Sequence, residues 1–183
     1  MLLLLSLLVS LFLIYVALVY NNGIKLKNYV QEAFSTMDVY LKQRWDMIPN
    51  LVESVKAYTG HEQSVLTEIT ALRNNNYSDL SETQKIETNS ALEGLLTKFV
   101  AVCENYPELK ASENYIQFNA QLKTIEDDIA TSRRYYNGTV RELNTFLEVF
   151  PTNVICAFFK MEKAKLFEID DAERQNVKVN FND

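Results

Sequence analysis

The feature that most constrains this chain is an apolar run over residues 2–20, which contains no charged side chain and is interrupted only by Ser6 and Ser10. A helix rises about 1.5 Å per residue, so the run spans about 28 Å, close to the hydrocarbon thickness of a bilayer. It therefore predicts a transmembrane helix. A cleaved signal peptide fits less well, because no basic segment precedes the run and no small-residue cleavage site follows it.

Basic residues follow this run but do not precede it. Lys25, Lys27, Lys42 and Arg44 all come after residue 20. Because cytoplasmic flanks carry the excess of Lys and Arg, the asymmetry predicts an N-terminus outside the cell and a body in the cytoplasm. We therefore expect a single-pass membrane protein, with the lipid bilayer as its first partner.

The composition argues against several classes of function. A formal charge of −6 disfavours nucleic acid as a partner, because phosphate binding needs a clustered basic face. One histidine and two distant cysteines, Cys103 and Cys156, predict no metal site and no cofactor. We expect the two thiols to be free, small apolar core residues. A disulfide between them would require an oxidising compartment.

Apolar residues recur at helical spacing along most of the remaining chain. With four glycines and three prolines in 183 residues, turns are scarce and the elements must be long. The predicted stripes are Leu26, Val30, Phe34, Met37, Leu41, Ile48, Leu51, Val55, Tyr58, Val65, Ile69 and Leu72; then Ile86, Leu92, Leu95, Phe99, Val102 and Tyr106; then Tyr115, Phe118, Leu122, Ile125, Ile129, Tyr136, Val140, Leu143 and Leu147. The predicted fold class is all-α, with an N-terminal transmembrane helix leading into an antiparallel bundle of three to four long helices.

Local signals mark the expected helix ends. Pro49 predicts a kink or a short break, and Pro107 predicts the end of the second stripe's helix. Ser81 with Gln84 resembles a capping box. Gly94 costs helix stability, which suggests close approach by a neighbour.

The last helices and the tail follow from similar signals. Residues 112–149 predict the longest regular segment, packed in the bundle rather than in a parallel dimeric coiled coil. Thr152 or Asn153 is expected to cap a short helix through Phe159. The alternating stretch 177–181 has no partner strand. The predicted domains are an anchor over 1–20, a helical bundle over 21–159 and a mostly irregular tail over 160–183. Residues 21–23 allow either a bend or a continuous helix.

Polar residues beside Pro49 form the first candidate site. Arg44, Asp46 and Asn50 could line a binding notch at a kink, where a guanidinium and freed carbonyls meet a partner. The structural alternative is that they pair with the region of residues 133–137.

A second polar group lies on the longest predicted helix. Arg134, Asn137 and Arg141 share one face with Asn144 at 3–4 spacing. They could bind an anion or a lipid headgroup, or form an internal network with acids such as Asp38, Asp46 and Glu104.

Two further segments complete the candidates. His61 and Glu62 are the only acid–base pair with an imidazole, but adjacent helical residues diverge by about 100° and no nucleophile context surrounds them, so no catalytic residue is assigned. Residues 150–159 are strongly apolar. Phe158 and Phe159 there are either an interaction surface or part of the core, and both interpretations stay open.

Several sequence blocks are similar to the LemA family. They are MDVYLKQRWDMIPNLVESVKAYTGHE over 37–62, VCENYPELKASENYIQF over 102–118, EDDIATSRRYYNGTVRELN over 126–144, FPTNVICAFF over 150–159 and VKVNF over 177–181. Trp45 replaces a usually smaller aromatic residue, and Cys156 a usually small one. The resemblance implies a bacterial membrane-anchored antiparallel helical bundle of uncertain molecular role, and it transfers no catalytic residue.

These observations lead to one expected function and two alternatives. The expected function is a non-enzymatic, membrane-tethered scaffold or adaptor that holds an unknown protein partner near the bilayer. The first alternative is a structural protein that self-assembles into homo-oligomers and organises or shapes membrane. A membrane-tethered hydrolase comes third, because the residue inventory disfavours it.

Overall fold

A computed structural model describes residues 1–56, 63–72 and 76–167, with the side chains of 53–56 and 63–66 excepted. Every regular element in that part of the chain is helical, which confirms the predicted all-α class and the long apolar N-terminal helix. The elements are α1 Leu2–Lys56, α2 Gln63–Leu72, a 3₁₀ helix Tyr77–Asp79, α3 Glu82–Cys103, α4 Pro107–Lys110, α5 Glu113–Glu148 and α6 Thr152–Phe158.

Helix α1 continues without interruption through residues 21–23 and through Pro49. Of the kink or short break expected at Pro49, the break is therefore wrong. Proline removes one backbone donor, but Trp45, Ile48 and Leu51 are all buried around it and hold the helical backbone in place. At 55 residues, α1 is also longer than the 36-residue α5, which the sequence had predicted to be the longest segment.

The chain divides into two compact units. The first unit comprises Met1–Asp38 and Ala130–Phe167, and the described residues of the second lie within Val39–Ile129. The boundaries predicted at residues 20/21 and 159/160 remain a prediction. The proposed lone stretch 177–181 and the pair His61–Glu62 lie outside the described residues.

In the first unit, α1 packs against the second half of α5. The rings of Phe34 and Tyr136 meet edge to face at 5.8 Å, and Gly23 lies against the side chain of Phe146. Residues later in α1 thus contact residues earlier in α5, so the two segments are antiparallel. The buried positions of this core are Leu26, Val30, Ala33, Phe34, Met37, Tyr136, Val140, Leu143 and Leu147.

In the second unit, the core joins α1, α3 and the first half of α5, with α2 packed on α3. The stripes on α1 and α5 are confirmed there, but the α3 stripe is partly wrong. Leu92 and Phe99 are buried as predicted, whereas Leu96 and Cys103 replace Leu95 and Val102 at the buried positions. The core residues are Leu41, Trp45, Ile48, Leu51, Ile69, Leu92, Leu96, Phe99, Cys103, Tyr115, Phe118, Leu122 and Ile129.

The helix ends agree with some of the capping and breaking signals in the sequence and differ from others. The capping box at Ser81 and Gln84 is confirmed, with both reciprocal bonds present. Helix α3 ends at Cys103, before Pro107, and Pro107 instead begins α4, because its missing N–H is harmless in a first turn. Gly94 is exposed and a β-carbon there would meet no atom within 4 Å, so the expected close neighbour is absent.

Helix α6 begins differently from the prediction. The hydroxyl of Thr152 donates to the carbonyls of Phe146, at 2.5 Å, and Val149, at 2.9 Å. It therefore satisfies the open carbonyls at the end of α5 and does not cap α6, whose N-cap position makes no side-chain hydrogen bond. Residues 161–167 follow without regular secondary structure.

Candidate functional site

Arg44 occupies a core position of the second unit. It continues the buried spacing Leu41–Arg44–Ile48 on α1, and its side chain is fully buried. Its Nη1 donates to both carboxylate oxygens of Glu126 on α5, at 2.9 and 3.0 Å. Its Nη2 donates to the backbone carbonyl of Asn89 at 2.9 Å and to Asn89 Oδ1 at 3.1 Å. A single guanidinium thus joins three helices.

The partners of Arg44 were not predicted. The structural alternative of the sequence analysis paired it with residues 133–137, and this pairing is wrong for Arg44. Asn89 lies in the buried spacing of α3, three residues before Leu92. The sequence did contain a signal for this contact: Asn89 occupies a core position of one helix and Arg44 a core position of another. Because buried charges require partners, these two positions could have been paired.

An aromatic contact lies beside this arginine. The rings of Trp45 and Tyr77 are 5.5 Å apart, and the Lys85 ammonium lies 4.9 Å from the Tyr77 ring centroid. Asn89 Nδ2 donates to the carbonyl of Lys85 at 3.0 Å and approaches the Tyr77 hydroxyl at 3.5 Å. Asn89 is thus held by Arg44 and by these contacts, whereas the Nε of Arg44 is buried without a hydrogen-bond partner among the described residues.

The other two residues predicted at the notch, Asp46 and Asn50, lie on the exposed side of α1. Asp46 Oδ2 forms a salt bridge with Lys42 Nζ at 2.5 Å. Both residues line an open groove of about 440 Å³ between α1 and α5, which we call the polar groove. Its lining residues are Gln43, Asp46, Met47, Asn50, Gln121, Thr124, Ile125 and Asp128, and it continues past Asn114, Gln117 and Phe118.

The polar face predicted on α5 is separated by the structure into two kinds of residue. Arg134 and Arg141 are exposed, and Arg134 Nη2 donates to Thr131 Oγ1 at 3.2 Å. Asn137 and Asn144 instead bind the backbone of residues 161–167. Of the acids named for the alternative network, Glu104 pairs with Lys110 and Asp46 with Lys42.

The two asparagines bind the extended segment in the same way. Asn137 donates to the carbonyl of Phe167 at 2.9 Å and accepts from its N–H at 2.8 Å. Asn144 makes the same pair of bonds to Ala164, both at 2.9 Å. Seven helical residues rise about 10.5 Å, which matches about 10 Å for three extended residues. We call this arrangement the amide ladder.

Further contacts reinforce the amide ladder. The hydroxyl of Tyr136 donates to the carbonyl of Lys165 at 2.8 Å. The Arg133 guanidinium lies 5.6 Å from the centroid of the Phe167 ring, and Phe167 is 2% exposed. The segment that the sequence assigned to an irregular tail is therefore held against α5 as far as Phe167.

The candidates Phe158 and Phe159 lie at the end of α6, in the first unit. Phe158 is 81% exposed and Phe159 41% exposed, so the choice left open by the sequence is settled in favour of exposure. Phe159 packs its ring against Tyr20 at 4.7 Å. Cys156, on the other side of α6, is buried and free, and burial raises the pKa of its thiol.

The described residues contain no group of three or more His, Cys, Asp or Glu side chains able to hold a metal ion. Cys103 is also buried and forms no disulfide. Tyr115, close to Cys103, has its pKa raised above the ordinary value by burial. The candidate residues described above offer hydrogen bonds, charge and apolar contact to a partner.

Comparison with known proteins gives the chain its family. The model of the LemA family matches residues 33–181. A curated relative, Protein LemA of Metamycoplasma hominis, is 27% identical over 158 residues, which cover 86% of this chain and 72% of that protein. The matched region contains the buried arginine, the polar groove, the amide ladder and α6. The chain therefore belongs to the LemA family.

Proposed function

We propose that this protein is a non-enzymatic scaffold or adaptor, anchored in a bacterial membrane and displaying a docking groove for a partner protein. The observation that supports this most directly is the continuity of α1. Its first part is an exposed apolar helix, and its later residues Gln43, Asp46 and Asn50 line the polar groove. Anchor and groove are thus parts of one helix with no linker between them.

The anchor is supported by the exposure of the N-terminal run. α1 is long and apolar enough to cross a bilayer, with a mean hydropathy of 2.9 in its most apolar window, of which 6% is buried. Leu3, Leu7 and Phe12 are each more than half exposed. Lipid removes the unfavourable hydration of such side chains. Lys25 and Lys27 follow the run, so we place the N-terminus outside and the remainder in the cytoplasm.

A membrane-topology experiment tests this part of the proposal. A cysteine is introduced at exposed Lys123 in a Cys103→Ala, Cys156→Ala background, and intact cells are treated with a membrane-impermeant maleimide. We expect labelling only after the cells are broken. Labelling of intact cells would reverse the orientation, and recovery of the protein in the soluble fraction would exclude the anchor.

The polar groove suggests the chemistry of the partner. Asp46 and Asp128 supply negative charge at its edges, five amides supply donors and acceptors, and Met47, Ile125 and Phe118 supply apolar contact. A groove between two helices of this kind suits the apolar face of an amphipathic helix. With acidic edges and a formal charge of −6 on the chain, the complementary partner is a basic amphipathic helix.

Photo-crosslinking in cells tests the groove. A photoreactive phenylalanine analogue replaces Gln121 in the groove, and Ile116, exposed on the same helix but not lining the groove, serves as the matched control. We expect a discrete adduct with a foreign protein from position 121 alone. The adduct should disappear in an Asp46→Lys, Asp128→Lys variant, because a basic helix would then be repelled.

Two outcomes would favour the alternatives. A ladder of adducts of the protein with itself, together with large detergent-resistant oligomers, would indicate a self-assembling structural protein that organises membrane. Turnover of a substrate by the purified protein, lost on His61→Ala, would indicate a hydrolase.

A further inference from the structure

Helix α6 presents an apolar face to the surroundings. Val154 and Phe158 are four residues apart on α6, which places their side chains on one side of the helix. Phe150 lies in the turn before α6. Phe150, Val154 and Phe158 are 82%, 62% and 81% exposed, respectively. The opposite side carries Cys156, which is 2% exposed. The short helix is therefore apolar on both sides, and its outer face meets no covering residue in the described part of the chain.

The outer face is continuous with the apolar run of α1. The ring of Phe158 meets that of Phe159 edge to face at 5.3 Å, and Phe159 meets Tyr20 at 4.7 Å. Three residues further on α1, Gly23 lies against the Met161 side chain. α6 thus packs beside the last turn of the run, within the first unit.

Length places this turn at the edge of a bilayer. A hydrocarbon core of about 30 Å is crossed by about 20 helical residues, so a span that begins near residue 2 ends near Tyr20. Tyrosine is favoured at that level because its ring is apolar and its hydroxyl polar. Lys25 and Lys27 follow on α1, and Lys160 and Lys163 follow on the chain after α6, so both segments turn cationic just past the same level.

We infer that α6 is an interfacial helix that, together with Phe150 of the preceding turn, inserts Val154 and Phe158 into the headgroup–acyl boundary of the bilayer that α1 crosses. This rests on the proposed membrane anchor. A helix that presents apolar and aromatic side chains at the level of the headgroups, with lysines beside it, binds lipid in this way. A second contact with the membrane, beside the span, fixes the rotation of α1 about its axis, which a single helix leaves undetermined.

The occupant is lipid rather than protein for a physical reason. Aromatic contact joins the face to Tyr20 at the end of the span, so a bilayer that surrounds residues 2–20 reaches α6 without a further binding event. Burial of a phenyl side chain away from water is favourable, and the exposed face offers two of them, Phe150 and Phe158.

Depth-dependent fluorescence quenching tests the inference on the full chain in lipid vesicles. Trp45 is the only tryptophan and is replaced by Phe, and single tryptophans are then introduced as Phe158→Trp, Phe150→Trp, Phe12→Trp and Tyr135→Trp. Position 12 reports on the anchor. Tyr135 is 58% exposed on α5 and is the control outside the proposed contact. Lipids brominated near the headgroup quench tryptophans at the interface, and lipids brominated near the ends of the acyl chains quench a tryptophan at position 12, in the middle of the 2–20 run.

We expect Phe158→Trp and Phe150→Trp to lose most of their fluorescence in brominated lipid, while Tyr135→Trp keeps it. Quenching at position 12 without quenching at 150 and 158 would overturn the interfacial helix, leave the anchor intact and assign the face to a protein partner. Absence of quenching at all four positions would overturn the anchor as well. Equal quenching at position 135 would overturn the assignment to α6.

Discussion

The two units of this protein use different polar groups to hold their segments together. In the second unit, a charged guanidinium, Arg44, joins α1, α3 and α5 through Glu126 and Asn89. In the first unit, two neutral amides, Asn137 and Asn144, hold an extended segment to one helix. A buried ion is costly to leave alone, whereas an amide that loses its partner loses only hydrogen bonds. In the second unit, stability therefore depends strongly on one side chain, Arg44. In the first unit, it is shared between the similar contacts of Asn137 and Asn144.

Loss of Arg44 is expected to have the largest effect. Arg44→Ala leaves Asn89 Oδ1 and its carbonyl without their donor and opens a cavity, so we expect the free energy of unfolding to fall by about 3–5 kcal/mol. Urea unfolding followed by circular dichroism in detergent measures it. Exposed Arg134→Ala is the matched control, expected within about 0.5 kcal/mol of the wild type. If both variants lost a similar amount of unfolding free energy, the stability of the second unit would not depend mainly on Arg44.

A double variant sharpens this result. Replacing both Arg44 by Met and Glu126 by Leu removes the buried charge together with its partner. We expect it to be more stable than Arg44→Ala, because paired ions can be replaced by apolar groups at little cost. A double variant as unstable as the single one would show that the loss comes from packing and not from the charge.

The amide ladder should respond locally and by less. Asn137→Leu removes both hydrogen bonds to Phe167, and we expect a loss of about 1–3 kcal/mol. Amide hydrogen exchange resolves the site: Asn137→Leu should expose the N–H of Phe167 first, and Asn144→Leu that of Ala164. Asn137→Asp keeps the acceptor and should protect the Phe167 N–H better than Leu does. Exchange that rises equally across the whole chain would contradict local holding.

Three glycines give a smaller, opposite effect. Gly94 and Gly138 meet no atom within 4 Å of an added β-carbon, so Ala at either should stabilise its helix by up to about 1 kcal/mol. At Gly23 the same carbon would lie 2.7 Å from Met161 Sδ. Gly23→Ala should therefore gain less, and Met161→Ala added to it should restore the gain. Thermal unfolding ranks the variants, and an equal gain at Gly23 would contradict the contact.

Tyr115 in the second unit predicts the smallest effect, at alkaline pH. Burial raises its pKa above the ordinary 10.0, so its protonated form stabilises the fold. That contribution is complete below about pH 10 and is lost as pH rises through the pKa of the folded state. The stability difference between the wild type and Tyr115→Phe should shrink across this window. A pH-independent difference, with phenolate absorbance rising at the ordinary pKa, would contradict burial.

Periodicity predicted most of the helices but not what joins them. The stripes on α1 and α5 were correct nearly residue by residue, because a core-facing position recurs every three to four residues whatever the partner. The α3 stripe moved by one position, from Leu95 to Leu96, since several neighbouring residues there are apolar. Pro49 and Gly94 misled because each was judged by its local propensity, and packing decides whether that propensity matters.

The candidate site was predicted in part. Arg44, Asp46 and Asn50 were singled out as one region, but the arginine is buried while the other two line an open groove. Their directions differ because successive helical residues point about 100° apart. Asn137 was identified as unusual, but its ladder to residues 164–167 requires an extended segment whose place no local pattern reveals.

The sequence by itself determined the helical class, the apolar N-terminal helix, the capping box at Ser81 and the family, because these depend on spacings within a few turns of chain. The tertiary structure alone decided that Arg44 meets Glu126, 82 residues away, and that the outer face of α6 is exposed. Burial and hydrogen-bond partners depend on which distant segments come together, and local pattern carries no record of that choice.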